Sequence, residues 1–95
     1  MQDINFDTII PILESNDVEF AGVFGSFAKG KASEKSDIDL LVKFTKPKSL
    51  MKIIRLERML SEKLDKKIDS VTDKALSPYI KEIILNDLRL IYGAR

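Results

Sequence analysis

The chain contains no cysteine, no histidine and no tryptophan. Without cysteine there are no disulfides, thiolate metal sites or cysteine nucleophiles. Without histidine the Ser-His-Asp triad, the commonest general base and the commonest zinc ligand are all excluded. Charge of one sign is lacking too: 16 Lys and Arg stand against 15 Asp and Glu, for a net charge of +1. That balance argues against a general polyanion or membrane-surface binder, and no sequence-specific nucleic-acid binding is expected. No apolar run approaches the roughly 18 residues of a membrane-spanning helix, and no leader pattern is visible, so the expected location is the cytoplasm. Any chemistry must run on carboxylates, lysines, hydroxyls and backbone groups. The 95 residues, 44% hydrophobic and 33% charged, are expected to form one small domain over 1–95 with a thin core.

Phe6, Ile9, Ile10 and Leu13 recur at helical spacing. Pro11 falls inside this run, so either the helix starts near Thr8 or it is kinked. Val18 to Phe24 (VEFAGVF) reads as a strand stopped by Gly25. A polar, basic stretch follows from Ser26 to Ser36, and its first part is compatible with a short helix. Asp37 to Phe44 (DIDLLVKF) is the clearest strand: Ile38, Leu40, Val42 and Phe44 share one face, and Asp37, Asp39, Leu41 and Lys43 the other. Ser49 is placed to cap a long helix to about Leu64, with Leu50, Ile53, Leu56, Leu60 and Leu64 as its buried stripe. Lys67 to Val71 (KIDSV) reads as a third strand. Ser77-Pro78 opens a last helix whose stripe is Ile80, Ile84, Leu88 and Ile91, with Gly93 as its stop. The expectation is an α/β (α+β) architecture, a small mixed sheet of about three strands with helices packed on it.

The chemistry concentrates between Gly25 and Val42, GSFAKGKASEKSDIDLLV. Asp37 and Asp39 are two apart on a strand, so both carboxylates leave the same face. Unmetallated they repel, whereas a hard divalent cation such as magnesium, which takes oxygen ligands and phosphates, resolves the conflict. Gly25 ends the preceding strand without a side chain, so backbone can approach a phosphate closely. Ser26 can donate its hydroxyl, and a helix starting there would aim free N–H groups at the same anion. Lys29, Lys31 and Lys35 add positive charge nearby. Together these residues describe a polyphosphate cradle facing a metal-binding pair. A third carboxylate is needed for two metal ions, and Asp69, mid-strand in KKIDSV, is the best candidate.

The glycine-serine pair, its spacer and the Asp-x-Asp strand resemble the signature of the DNA polymerase β-like nucleotidyltransferase superfamily. The continuation SDIDLLV and the later acid look like its smallest members, the minimal nucleotidyltransferases. The likeness covers most of the chain in element order but is sharp only from Gly25 to Val42. It implies a polymerase β palm-like fold in which Gly25 and Ser26 contact phosphates, with Lys29 beside them, and Asp37, Asp39 and Asp69 form a catalytic, metal-binding triad for two Mg2+ ions with ATP as substrate. Many relatives carry arginine where this chain has Lys29, and lysine cannot clamp a phosphate bidentately. The resemblance further implies transfer of AMP onto a tyrosine of a HEPN-type toxin, with the chain as antitoxin of a type VII-like pair. Two other readings remain open from the residues: neutralisation of a partner by occlusion alone, and nucleotidyl transfer to a small molecule. Lys48, Lys52, Arg55 and Arg58 read as a solvated helix face, and Tyr79 and Tyr92 as packing residues.

Overall fold

The computed structural model describes residues 4–25 and 37–93. A short 3-10 helix, Phe6–Ile9, runs directly into α1 (Ile10–Ser15). Pro11 sits in the first turn of α1, where its missing N–H costs nothing, so the proline marks a helix start and not a kink. Strands β1 (Val18–Phe24) and β2 (Ile38–Phe44) fall where the alternation places them. Helix α2 (Leu50–Leu64) begins where the Ser49 hydroxyl accepts from the Lys52 amide at 3.3 Å, and it ends at Asp65, a left-handed residue with φ 53°. Then come β3 (Ile68–Thr72), a 3-10 turn at Asp73–Ala75, α3 (Pro78–Asp87) capped by Ser77, and β4 (Arg89–Gly93).

The sheet order is β3-β2-β1-β4. β1 pairs antiparallel with both β2 and β4, whereas β2 and β3 run parallel. A parallel pair needs a long crossover, and α2 supplies it. The sheet therefore has four strands and not the three expected, because the last helix stops at Asp87 and the following residues extend along β1. Ile80, Ile84, Leu88 and Ile91 keep a helical period across that boundary. Asn86 and Asp87 are poor helix formers, however, and RLIYG pairs well with an open sheet edge. Gly93 is consequently no helix stop. It has φ 75°, and a Cβ there would lie 2.0 Å from the Glu19 carbonyl oxygen, so only glycine lets β4 approach β1 at that rung.

Helices α1 and α2 cover one face of the sheet. Ile9, Leu13, Leu56 and Leu60 pack there against Val18, Ala21, Val23, Ile38, Leu40, Val42 and Ile68. Phe20 and Leu41 are buried on the opposite face, where Leu88 leans over Gly22. The stripe of α3 is not core: none of its residues is buried, and Tyr79 and Ile80 are 77% and 49% exposed. The α2 stripe is buried only at Leu56 and Leu60, and Leu50 at its start is exposed. Nor is Lys48 part of a solvated face, since its ammonium binds the Asp17 carboxylate at 2.5 Å. Among the described residues no helix is long and apolar enough to cross a membrane.

Candidate active site

Three strand ends meet at one end of the sheet: the end of β1, the beginning of β2 and the beginning of β3. Side chains alternate along a strand, and Ile38, Leu40 and Val42 are committed to the core by their size and apolarity. Asp39, between the first two, is therefore forced onto the opposite face, and Asp37, two residues earlier, belongs to the same side. The parallel ladder sets Ile38 opposite Ile68 and Asp39 opposite Asp69. Since Ile68 is buried with Ile38, Asp69 shares the face of Asp39. The Ile38 amide donates to the Lys67 carbonyl at 2.9 Å, so the rung below the two acids is closed.

The electrostatics agree with this register. Partial burial pushes the Asp39 carboxyl above its ordinary value, and the neighbouring charges of Asp69 and then Asp37 push it further in the same direction. Both acids are thus close enough to Asp39 to oppose its ionisation. Asp37 also lies 3.9 Å from the Lys67 ammonium, a long, solvent-exposed pair that contributes little. Asp69 is exposed. In their present rotamers no three acidic side chains among the described residues are gathered tightly enough to hold one ion. The backbone brings the three carboxylates to one patch, while the side chains stand apart, as like charges should. Such a donor set, all hard oxygens and mutually repelling, fits a divalent cation.

Gly25 completes the geometry. Phe24 pairs with Asp39, and Gly25 turns away from the strand with φ 73°. A Cβ at Gly25 would sit 2.6 Å from Asp39 Oδ2. A side chain at this position would have to displace the Asp39 carboxylate and adopt a left-handed backbone. Ser26 and Lys29, expected beside Gly25 in the phosphate cradle, lie outside the described residues, as do Lys31 and Lys35. Sequence reasoning missed Glu57 and Ser61 of α2, two polar residues flanking the Leu56 and Leu60 stripe, whose side chains accept from the backbone of β3 on either side of Asp69. Their only signal was polarity at the margin of an apolar face.

The opposite end of the sheet has a different character. A cleft of about 210 Å³ opens there between Val42, Phe44, Pro47, Ile53 and Thr72. Of the lysines that line it, Lys48 is paired with Asp17 and Lys43 with Glu19. It holds none of the three acids and belongs to the closed end of the fold.

Comparison with known proteins places this geometry among relatives. The family described as Polymerase beta, Nucleotidyltransferase matches residues 7–95. A Methanocaldococcus jannaschii chain assigned as a protein adenylyltransferase is 44% identical over 79 residues, covering 83% of this chain and 85% of that one. The protein adenylyltransferase MntA of Thermococcus cleftensis is 40% identical over 67 residues, covering 70% and 68%. Among solved structures, a toxin-antitoxin with AMP-PNP superposes with a TM-score of 0.85 at 23% identity, covering 97% of this chain and 76% of that one. A tri-AMPylated Shewanella oneidensis HEPN toxin in complex with an MNT antitoxin gives 0.73 at 21% identity, covering 94% and 70%. At these identities the two structures speak for the fold alone.

Proposed function

Because this chain belongs to the polymerase β nucleotidyltransferase family, we propose that it transfers AMP from ATP to a hydroxyl of a partner protein, a tyrosine of a HEPN-type toxin, and acts as that toxin's antitoxin. The observation that carries the reading is the shared rung of Asp39 and Asp69, with Asp37 on the same face and Gly25 beside Asp39. Relatives of similar length are named for protein adenylylation, which supports a protein acceptor over a small molecule. The reaction belongs in the cytoplasm, where ATP and the toxin would both be available.

Asp37, Asp39 and Asp69 would hold magnesium, which when bound supplies positive charge to the triphosphate and to the attacking oxygen. The rest falls to the chain itself. Gly25 lets the backbone approach the triphosphate, and the Ser26 hydroxyl donates to it. A carboxylate oxygen of Asp69 takes the proton as the acceptor oxygen bonds to the α-phosphorus. The bond from that phosphorus to its bridging oxygen breaks, and pyrophosphate leaves. Positioning and charge neutralisation are most of what a protein contributes to such a transfer, so the lack of histidine is no obstacle.

The direct test mixes the protein, magnesium, ATP labelled on the α-phosphate and the candidate toxin. The expected outcome is one AMP added per modified tyrosine, with loss of toxicity. Replacing both Asp37 and Asp39 with alanine should lower the rate by at least about 10²–10³. Full neutralisation by that double variant, without label on the toxin, would mean that occlusion and not transfer disarms the partner.

A further inference from the structure

β3 is an edge strand, paired with β2 on one side only. Its outward amide groups would ordinarily face solvent or attract another strand. Here α2 covers them. The Ile68 amide donates to Ser61 Oγ at 3.1 Å, and the Ser70 amide donates to Glu57 Oε2 at 2.9 Å. The Ser70 hydroxyl donates to the same Glu57 oxygen. Glu57 and Ser61 are four residues apart on α2, so they project from one helix face and meet alternate residues of the strand. The residue between those two anchored amides is Asp69.

We propose that Glu57, assisted by Ser61, is a positioning residue for Asp69. It grips the backbone of β3 on both sides of that acid and fixes the height at which its carboxylate meets Asp39. The inference rests on the reading of Asp69 as a member of the acidic site. Among the described residues the contacts on the outer edge of β3 come from α2, because the neighbouring strand pairs with the inner edge. The choice of residue type fits the task. One carboxylate oxygen accepts two donors from Ser70, and its charge strengthens both bonds. An edge protected merely against aggregation needs no such double contact at a single residue.

A double-mutant cycle between Glu57 and Asp69 tests this. Wild type, Glu57→Ala, Asp69→Asn and the double variant would be compared for kcat and KM of AMP transfer, and for Mn2+ affinity of the free protein by calorimetry. Glu57→Ala is expected to lower kcat about tenfold or more, as a displaced catalytic group does. It should also weaken Mn2+ binding, leave KM for ATP nearly unchanged and add almost nothing in the Asp69→Asn background. Glu57→Gln retains an acceptor oxygen and should recover most of the rate. Ser61→Ala, a milder change that keeps the Glu57 contact if Glu57→Ala fails to fold, should show a smaller loss with the same dependence on Asp69. Unchanged kcat and Mn2+ affinity in Glu57→Ala, or losses that multiply in full with Asp69→Asn, would overturn the proposal. A wild-type rate in Asp69→Asn alone would instead remove the reading beneath it, and that single variant tells the two failures apart.

Discussion

Among the described residues, burial and the nearest acids both oppose the charged form of Asp39. Burial, Asp69 and Asp37 all raise its carboxyl above the usual value of 3.8. A raised native value means that, in the window just above 3.8, the metal-free folded state binds more protons than the unfolded chain. Stability therefore falls as pH rises through that window, and the loss persists at neutral pH. Asp39→Asn should accordingly raise the melting temperature of the protein in EDTA at pH 7, and the advantage should shrink as pH falls towards 4. Calorimetry across that range measures it, and a gain independent of pH would point to packing instead. Asp17 behaves in the opposite sense: its bond to Lys48 holds its carboxyl below 3.8, so its stabilisation is present above that value and fades as pH falls through its lowered one. Gly25 is the residue where conformation and chemistry coincide. Gly25→Ala must tolerate φ 73° and move the Asp39 carboxylate from a 2.6 Å clash. The left-handed backbone alone costs about 1–2 kcal/mol. Transfer should drop by more than that stability loss explains, on the order of 10²-fold. Parallel melting and rate measurements separate the two effects.

At the scale of elements, the sequence was most legible where local chemistry and tertiary need agreed. The alternation in DIDLLVKF fixed which face the acids leave, because burying Ile38, Leu40 and Val42 admits no other register. Ser49 and Ser77 marked two helix starts that the structure retains. The rung shared by Asp39 and Asp69 was only a candidate from sequence, since a parallel partner lies across a crossover and its register depends on how α2 packs. The stop at Asp87 was misread for a different reason: an apolar period can run across a helix end, and what ends α3 is the availability of an unpaired β1 edge. The last strand yields a sharp prediction. Gly93→Ala would drive a Cβ into the Glu19 carbonyl oxygen, which is backbone and cannot yield without breaking the rung. Loss of about 2 kcal/mol or more is expected, consistent with strain at a special backbone position. Urea denaturation would measure it, and a cost no greater than that of an ordinary surface substitution would mean that β4 is dispensable to the sheet.

Over the whole molecule the two ends of the sheet divide the work. One end is closed: the Asp17 carbonyl accepts from the Thr45 amide at 2.8 Å, and its carboxylate holds Lys48. The other end gathers three acids, two of which push the carboxyl of the third, Asp39, above its ordinary value. A cation that binds the native state and not the unfolded chain stabilises it by mass action, about 2.7 kcal/mol at a hundred times its Kd. Millimolar magnesium or manganese should therefore raise the melting temperature of the wild type, and Asp39→Asn should abolish that rise. Asp17→Ala acts at the far end of β1, with no partner in common with the acids among the described residues, and effects of such separated sites add. It should lower the melting temperature in the absence of metal and leave the metal-induced increment unchanged. A flat metal titration of the wild type would show that the three carboxylates do not converge in solution. An increment lost in Asp17→Ala would show that the two ends are coupled through β1, so that the stability of the closed end sets the geometry of the open one.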